Sequence, residues 1–387
     1  MKKASQIKHL PFPVYFYTIV LLAFLGLGDS IYLTISHYRN YTDVGYISFC
    51  AISKSINCDT VSQSPYSIFL NVPVAVWGVI GYAFFLIFLS FAGSKQADRK
   101  RVWPLLFFIS IAFSIASIIL AVISSFYIQS YCIMCVLIFG INFMLLFYVW
   151  IIRKRFDNSG LFDALRQDLA FLWRNKIKSV SLLSAFIFVV VLIVAFYPKY
   201  WQFPLTFHAD ISKGVTDEGH PWIGDENPEY VITEFTDYQC FQCKKMHSFL
   251  RMIAAKHAGK IKIVHRHFPM DNQFNPIVTK PYYVGSGKLA LLAIYASTKG
   301  KFWEVNDILF KITGKKDTVS VREIAEKAGL DPAELASSIN SKAIRSMLWR
   351  DIHDGIKLEL TGTPGFVIND KVYQGQLPAE IVKKLIK

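Results

Sequence analysis

The sequence predicts a multidomain membrane protein: five membrane-crossing helices followed by a water-soluble α/β domain. Three observations carry this. The chain of 387 residues is 53% hydrophobic and 15% aromatic, more apolar than an ordinary soluble protein of mixed fold. Long stretches hold no charge, above all Val102–Ile152, with 51 residues free of Asp, Glu, Lys and Arg. After Tyr197 the composition changes to that of a soluble domain with both strand and helix periodicity.

A membrane pass needs roughly 20 apolar residues. Val102–Ile152 is therefore read as two passes, turning at the more polar Ser124–Tyr131. Leu10–Tyr32, apolar except for Asp29, then Ser67–Gly93 and Val180–Tyr197 complete the five. A cleaved signal peptide is the other reading of the first, but its apolar run is too long and no small-residue cleavage site follows. Pro73 reads as a turn or kink residue of the second pass. Asp29, near the expected outer end of the first pass, has either a proton or thiolate-tuning role or a wet, structural one. Phe107 and Phe108 read as packing or lipid contact.

Charge orients the bundle. Met1–His9, Ser94–Arg101 and Arg153–Ser179 share one side and hold 14 Lys and Arg against four acids, Asp98, Asp157, Asp163 and Asp168. That is +10 of the formal net charge of +14. On the other side, Arg39–Tyr66 balances Arg39 and Lys54 against Asp43 and Asp59. The positive-inside rule places the N-terminus in the cytoplasm and everything after Tyr197 outside. The basic excess is then topological and gives no reason to expect a nucleic-acid partner.

The six cysteines fall into three pairs, Cys50 with Cys58, Cys132 with Cys135, and Cys240 with Cys243. In this topology all lie on the outer side or at the outer end of a helix, where disulfides persist. A structural bridge suits Cys50 and Cys58 passably. It suits a Cys-x-x-Cys poorly, because so small a loop constrains the unfolded chain little. Such pairs are more often redox-active or metal-binding. A four-thiolate zinc site is weakened by the distance of more than 100 residues between Cys135 and Cys240. His247, His265 and His267 offer nitrogen ligands, but His265 and His267 alternate along an apparent strand and His247 reads as a helix-surface residue. No metal site is assigned.

In the soluble part, Tyr230–Phe235 reads as a buried strand, residues 261–270 as a second, and Gly287–Leu360 as mainly helical. Strand, short turn and Cys-x-x-Cys at a helix start put Cys240 at the helix N-terminus, where unpaired N–H groups and the helix dipole favour a thiolate. Cys240 is expected to be the exposed nucleophile and Cys243 the buried resolving thiol. Thr363 and Pro364, ahead of a short apolar strand, suggest a cis-proline turn.

These residues carry two resemblances. "HPWIGDENPEYVITEFTDYQCFQC", "HRHFPMDNQFNP", "GKFWEVNDILF" and "GTPGFVIND" resemble the thioredoxin-fold dithiol oxidases of the DsbA type, from about Gly219 to the C-terminus. The resemblance implies an α/β thioredoxin fold with a helical insertion, in which Thr363 and cis-Pro364 face the active disulfide. Phe241-Gln242 departs from the family's usual Pro followed by His or Tyr, a dipeptide that tunes redox potential. "GLGDSIYLT", Cys50 and Cys58, "SQSPYSIFLNVPVAVWGVIGY" and Cys132–Cys135 resemble the vitamin K epoxide reductase family in its bacterial form. That resemblance implies an all-α four-helix transmembrane bundle around a quinone, leaving one extra transmembrane helix. Cys135 would touch the quinone, with Ser64 nearby. Cys132 would exchange with the loop pair, Cys50 facing Cys132 and Cys58 facing Cys240. Asn71 stands where a glycine is common, and Phe139 where the animal enzymes have a tyrosine.

The expected architecture is a reductase-like transmembrane domain at 1–155, a cytoplasmic linker and fifth helix at 156–198, an outer linker at 199–218 and the thioredoxin-like domain at 219–387. The resemblances imply a disulfide-forming oxidoreductase of the bacterial inner membrane. Electrons would pass from secreted or periplasmic protein thiols through Cys240–Cys243, Cys50–Cys58 and Cys132–Cys135 to ubiquinone or menaquinone in the lipid bilayer, each thiol step being an exchange. The same parts running backwards would export reducing power to a disulfide isomerase. A quinone or vitamin K epoxide reductase and a metal-handling membrane protein are the other readings.

Overall fold

The structure is a computed structural model and describes residues 10–52, 56–92, 102–156, 160–174, 176–202, 211–257, 259–312 and 320–386. Met1–His9, Lys54, the basic stretch Ser94–Arg101 and linker residues 203–210 lie outside the described residues. The chain divides into two compact units, residues 1–40 with 47–199, and 41–46 with 200–387.

The first unit is helical: α1 (Phe12–Thr42), α2 (Cys58–Ser62), α3 (Val74–Ala92), α4 (Trp103–Val122), α5 (Ile133–Phe156), α6 (Leu161–Arg174) and α7 (Lys176–Phe196). Five of its helices are long and apolar enough to cross a membrane, ending at Thr42, Ala92, Ile128, Phe156 and Phe196. Apolar residues repeat at helical spacing on the inward faces: Ile19 and Ala23 on α1, Phe85 and Leu89 on α3, and Ile141, Leu145 and Val149 on α5. Large side chains such as Leu21, Phe24, Ile118 and Phe143 point outward, the surface a helix needs in lipid. On α4 the buried serines Ser110, Ser114 and Ser117 each return their hydroxyl to a carbonyl of the preceding turn. Their small side chains let a neighbouring helix approach closely. Gly26 does the same for α1, since a Cβ there would stand 2.2 Å from the Tyr82 ring of α3. The Phe84 and Phe186 rings, 5.1 Å apart, link α3 to α7.

Three boundaries differ from expectation. α1 runs to Thr42, ten residues beyond Tyr32, because its polar last turns are not solvent-facing: Ser36, His37 and Asn40 are buried. α3 starts at Val74, because residues 65–73 form a short 3-10 turn and a hairpin, β1 (Ile68–Phe69) with β2 (Val72–Pro73). Its two turn residues, Leu70 and Asn71, have φ of 50° and 58°. Asn tolerates that left-handed backbone better than most residues, so it serves where a glycine is common. Pro73 leads directly into α3. The turn expected at Ser124–Tyr131 is largely a π-helical continuation of α4, Ile123–Ile128, ended by left-handed Gln129.

The second unit is built on a six-stranded sheet of order β3-β4-β6-β5-β7-β8: β3 (Lys213–Val215), β4 (Pro221–Gly224), β5 (Tyr230–Thr236), β6 (Ile261–His267), β7 (Gly365–Ile368) and β8 (Lys371–Gln374). β5 and β6 are parallel, as their connection through α8 (Phe241–Lys256) requires, and the other pairs are antiparallel. β3 lies within the stretch read from sequence as linker; three residues with one apolar side chain give no strand signal. Between β6 and β7 come α9 (Ser286–Thr298), α10 (Phe302–Ile312), α11 (Val321–Ala328), α12 (Pro332–Ser338) and α13 (Lys342–Lys357), and α14 (Ala379–Ile386) closes the chain. Alternating strand residues feed two cores, one with Ile232, Ile263 and Phe366 against Met246 and Leu250 of α8, the other with Phe235 and Phe268 against Leu291, Leu348 and Ile352.

Candidate redox sites

In the first unit the sulfur cluster is assembled by polar anchors. Cys50 and Cys58 are disulfide-bonded. Asn57 caps α2, its Oδ1 accepting the N–H groups of Asp59 and Thr60 at 2.9 and 3.1 Å. The Asp59 carboxylate accepts from the Asn40 amide at 3.0 Å and the Ser48 N–H at 3.0 Å, tying both arms of the loop to the end of α1. The Asn57 N–H donates to the Tyr131 carbonyl at 2.9 Å, which brings the residues preceding Cys58 and Cys132 side by side. Cys50, Cys58 and Cys132 form one buried cluster, with Leu33, Val61, Met134 and Cys135 packed against it.

Beside this cluster is a cavity of about 370 Å³ whose wall includes Cys58, Cys132, Cys135, Ser64 and Phe139. Its volume falls in the range of small-molecule sites. Aliphatic and aromatic side chains such as Leu33, Val74, Phe113, Leu120 and Ile138 make most of the wall. Ser30 and Ser62 are among the residues of this wall, and their hydroxyls are buried without a hydrogen-bond partner. The wall thus fits an apolar ring compound carrying a few oxygens. Ser64 is in the wall, with its hydroxyl hydrogen donated to the Val61 carbonyl at 2.8 Å.

The two Cys-x-x-Cys pairs are built alike. Cys132 precedes α5 and its Sγ accepts the Cys135 N–H at 3.2 Å. Cys240 is the N-cap of α8 and its Sγ accepts the Cys243 N–H at 3.3 Å. The Thr363–Pro364 peptide is cis, and the Cys240 thiol donates to the Thr363 carbonyl at 3.5 Å. Cys240 is only 4% exposed and Cys243 0%, so Cys240 is less open than the sequence suggests. Burial pushes the Cys243 thiol well above its ordinary value, and the neighbouring Cys240 adds to this.

The comparisons with known proteins then bear on both sulfur sites. Residues 17–150 match the model of the vitamin K epoxide reductase family, the stretch that holds the cavity and four of the six cysteines. The chain carries a vitamin K epoxide reductase domain. Residues 216–387 match a thioredoxin family model, so a thioredoxin domain follows it. Among solved structures, a thioredoxin-like oxidoreductase from Silicibacter pomeroyi DSS-3 is 22% identical, covering 44% of this chain and 91% of that one at a TM-score of 0.37. BdbD from Bacillus subtilis is 20% identical, covering 46% and 100% at a TM-score of 0.36. Two Na(+)/H(+) antiporters, NhaA 3 of Salinispora tropica and NhaA 1 of Mycobacterium sp. strain KMS, are 20% and 23% identical over 163 and 154 residues. These cover 42% and 39% of this chain and 24% of each antiporter, so the chain spans about a quarter of the length of the curated relatives it matches.

In the vitamin K epoxide reductase domain, Asp29 is not at a wet helix end. It lies 13 residues before Thr42, about 20 Å along the axis. It is 7% exposed and neither carboxylate oxygen has a hydrogen-bond partner. In the thioredoxin domain, His247 is a second correction: it is 0% exposed, because α8 is covered by sheet and by α10. The Tyr238 hydroxyl donates to Asn306 Oδ1, the Asn306 amide meets His247 Nε2 at 3.0 Å, and His247 Nδ1 bonds Glu234 Oε1 at 2.6 Å. His265 Nδ1 bonds the same oxygen at 2.9 Å. Burial pushes the Glu234 carboxyl up, but the two histidines outweigh it and hold it at about 2. Burial lowers His265, and it lowers His267 to about 3. Glu234, His247 and His265 are also the one convergent group of metal-ligand types among the described residues.

Sequence reasoning missed Asp237, the residue between β5 and the Cys-x-x-Cys turn. Its carboxylate accepts from Gln239 N–H at 2.7 Å, Met270 N–H at 2.6 Å and the Ser286 hydroxyl at 2.7 Å, and its N–H points at Cys243 Sγ, 3.5 Å away. Burial raises it to about 6. The only sequence signal was an acid placed just before the cysteines.

Proposed function

We propose that this protein is a thiol–disulfide oxidoreductase that makes disulfides in secreted proteins and passes the electrons to a membrane quinone. The observation that carries the reading is the gathering of Cys50, Cys58 and Cys132 in one buried cluster with Cys135 against it, three of these four residues also lining the cavity. Substrate thiols reduce the Cys240–Cys243 disulfide; the resulting dithiol reduces Cys50–Cys58, which in turn reduces Cys132–Cys135. Each step is thiolate attack on a disulfide through a mixed disulfide, so one bond forms for each that breaks. Cys132 and Cys240 each stand at the start of a helix, with Sγ accepting the N–H of the second cysteine of the pair. A quinone held in the cavity would supply the terminal oxidising power, two electrons and two protons leaving the Cys132 and Cys135 thiols as their disulfide closes. Cys135 and Ser64 are the wall residues placed beside it by the family resemblance. Thr363, through its carbonyl, and Pro364 orient the Cys240 thiol toward a substrate chain.

The site of action in this reading is a bacterial inner membrane, with the N-terminus cytoplasmic and the thioredoxin domain outside. Support comes from the five apolar helices and from the basic residues on one side of them. The test is disulfide formation in a reduced, unfolded secreted protein by the purified whole chain, with quinone consumption followed in parallel. Cys135→Ala is expected to abolish quinone consumption, and Cys243→Ala to accumulate mixed disulfides with the substrate. Unchanged quinone-linked oxidation after Cys135→Ala overturns the terminal step; a wild-type chain that consumes no quinone with reduced substrate overturns the reading.

A further inference from the structure

We propose that the hydroxyls of Ser30 and Ser62 are the hydrogen-bond donors that hold the carbonyl oxygens of the electron acceptor in the cavity. The inference rests on the quinone-linked reading above and assigns residues to it.

Many of the cavity's donors are already committed to protein acceptors. Ser64 donates to Val61 O, Ser67 to Ser64 O, Ser117 to Phe113 O, Tyr82 to Asn142 Oδ1, and the Trp77 indole to Phe69 O, all between 2.7 and 3.0 Å. The hydroxyls of Ser30 and Ser62 are different: both are shut off from solvent and have no partner, and both residues line the cavity. A buried hydroxyl without a partner costs free energy that a ligand oxygen can recover. Ser30 is 0% exposed, and Gly78 of α3 lies close against its hydroxyl, where a Cβ would stand 2.6 Å from Ser30 Oγ. Ser62 lies four residues after Cys58 on α2. That spacing puts both side chains on one helix face, and both reach the cavity. An acceptor with oxygens on an apolar ring matches a wall that is mostly apolar; a hydrocarbon of the same shape gains nothing from these two groups.

The test uses the whole chain in lipid nanodiscs and two probes: ubiquinone with a single isoprene unit, and an alkylbenzene of similar size lacking carbonyls. Binding is read by quenching or competition at tryptophan fluorescence, to which Trp77 in the wall contributes. Ser30→Ala and Ser62→Ala are each expected to weaken ubiquinone binding about 3- to 10-fold, and to leave the alkylbenzene unchanged. Ser62→Thr, which keeps the hydroxyl, and Ser90→Ala, outside the cavity wall, are expected to stay within about twofold of wild type. Equal ubiquinone affinity in wild type and both alanine variants overturns the inference while leaving the quinone reading intact. Equal loss of both probes also overturns it, because the serines would then be shaping the cavity. A wild-type chain that binds no ubiquinone overturns the quinone reading and this inference with it.

Discussion

The N–H of Cys243 points at the Sγ of Cys240 across 3.3 Å, so the first thiol of the pair is also the cap of its helix. Serine keeps that acceptor and alanine does not. Cys240→Ser is expected to unfold near the wild-type temperature, and Cys240→Ala to cost about 1 kcal/mol, with thiol exchange lost in both. Thermal unfolding of the intact protein decides this; equal stability of the two variants would show that the sulfur contributes nothing as a cap.

Glu234 sits at about 2, below an ordinary 4.5, because His247 and His265 outweigh its burial. A depressed acid stabilises the fold above its unfolded value and loses that contribution as pH falls toward the folded one. The window is therefore about pH 4.5 down to 2, and the difference corresponds to about 3 kcal/mol. Glu234→Gln is expected to lose protection of β5 and β6 amides in hydrogen exchange at pH 7, and to lack the wild-type decline in this window. His267 works in the same direction, from 6.5 down to about 3. His267→Phe is expected to flatten the protection profile between those values.

Asp237 has the opposite sign. Its folded value is raised to about 6 from 3.8 by burial, so it stabilises below pH 3.8 and loses that contribution as pH rises through 6. Its charge also adds to the elevation of the Cys243 thiol, after burial and Cys240. In a Cys240→Ser background, Asp237→Asn is expected to move Cys243 alkylation to lower pH, as read by mass spectrometry. An unmoved profile would show that burial alone governs this thiol.

Gly26 and Gly28 are two residues apart on α1 but not equivalent. A Cβ on Gly26 meets the Tyr82 ring at 2.2 Å, whereas one on Gly28 meets nothing within 4 Å. Gly26→Ala is expected to destabilise by about 1–3 kcal/mol, and Gly28→Ala to be neutral or slightly stabilising. Thermal unfolding in detergent compares them directly.

Asp29 has two buried oxygens without a partner. Replacing it by its isostere removes a burial cost and no hydrogen bond. Asp29→Asn is expected to match or exceed wild-type stability by about 0–2 kcal/mol. If quinone-linked turnover falls in the same variant, the acid acts in proton transfer.

What the sequence made legible was what local spacing encodes. Charge-free runs revealed five helices, and cysteine pairs at a helix start revealed Cys132 and Cys240. A Thr-Pro before an apolar strand revealed the cis turn. The acids were not legible, because their partners are distant: Asp237 meets Ser286 49 residues away and Glu234 meets His265 31 residues away. A clue for Glu234 existed, since it shares the buried face of β5 with Ile232 and Thr236. His247 was misread because a lone histidine on a helix gives no sign that both flanks of that helix are covered. The end of α1 was placed too early because Ser36, His37 and Asn40 look like a solvent-exposed stop, while in the fold they face inward.

That longer helix has a mechanical consequence. Its 31 residues span about 46 Å, against roughly 30 Å of hydrocarbon in a bilayer. The excess is met by leaning or by standing above the lipid, and its last turns hold Asp59 and with it the first disulfide. In the proposed membrane setting, lipid thickness sets how far that buried disulfide stands from the hydrocarbon. Short-tailed and long-tailed bilayers, through hydrophobic mismatch, should set different reduction rates for the same chain.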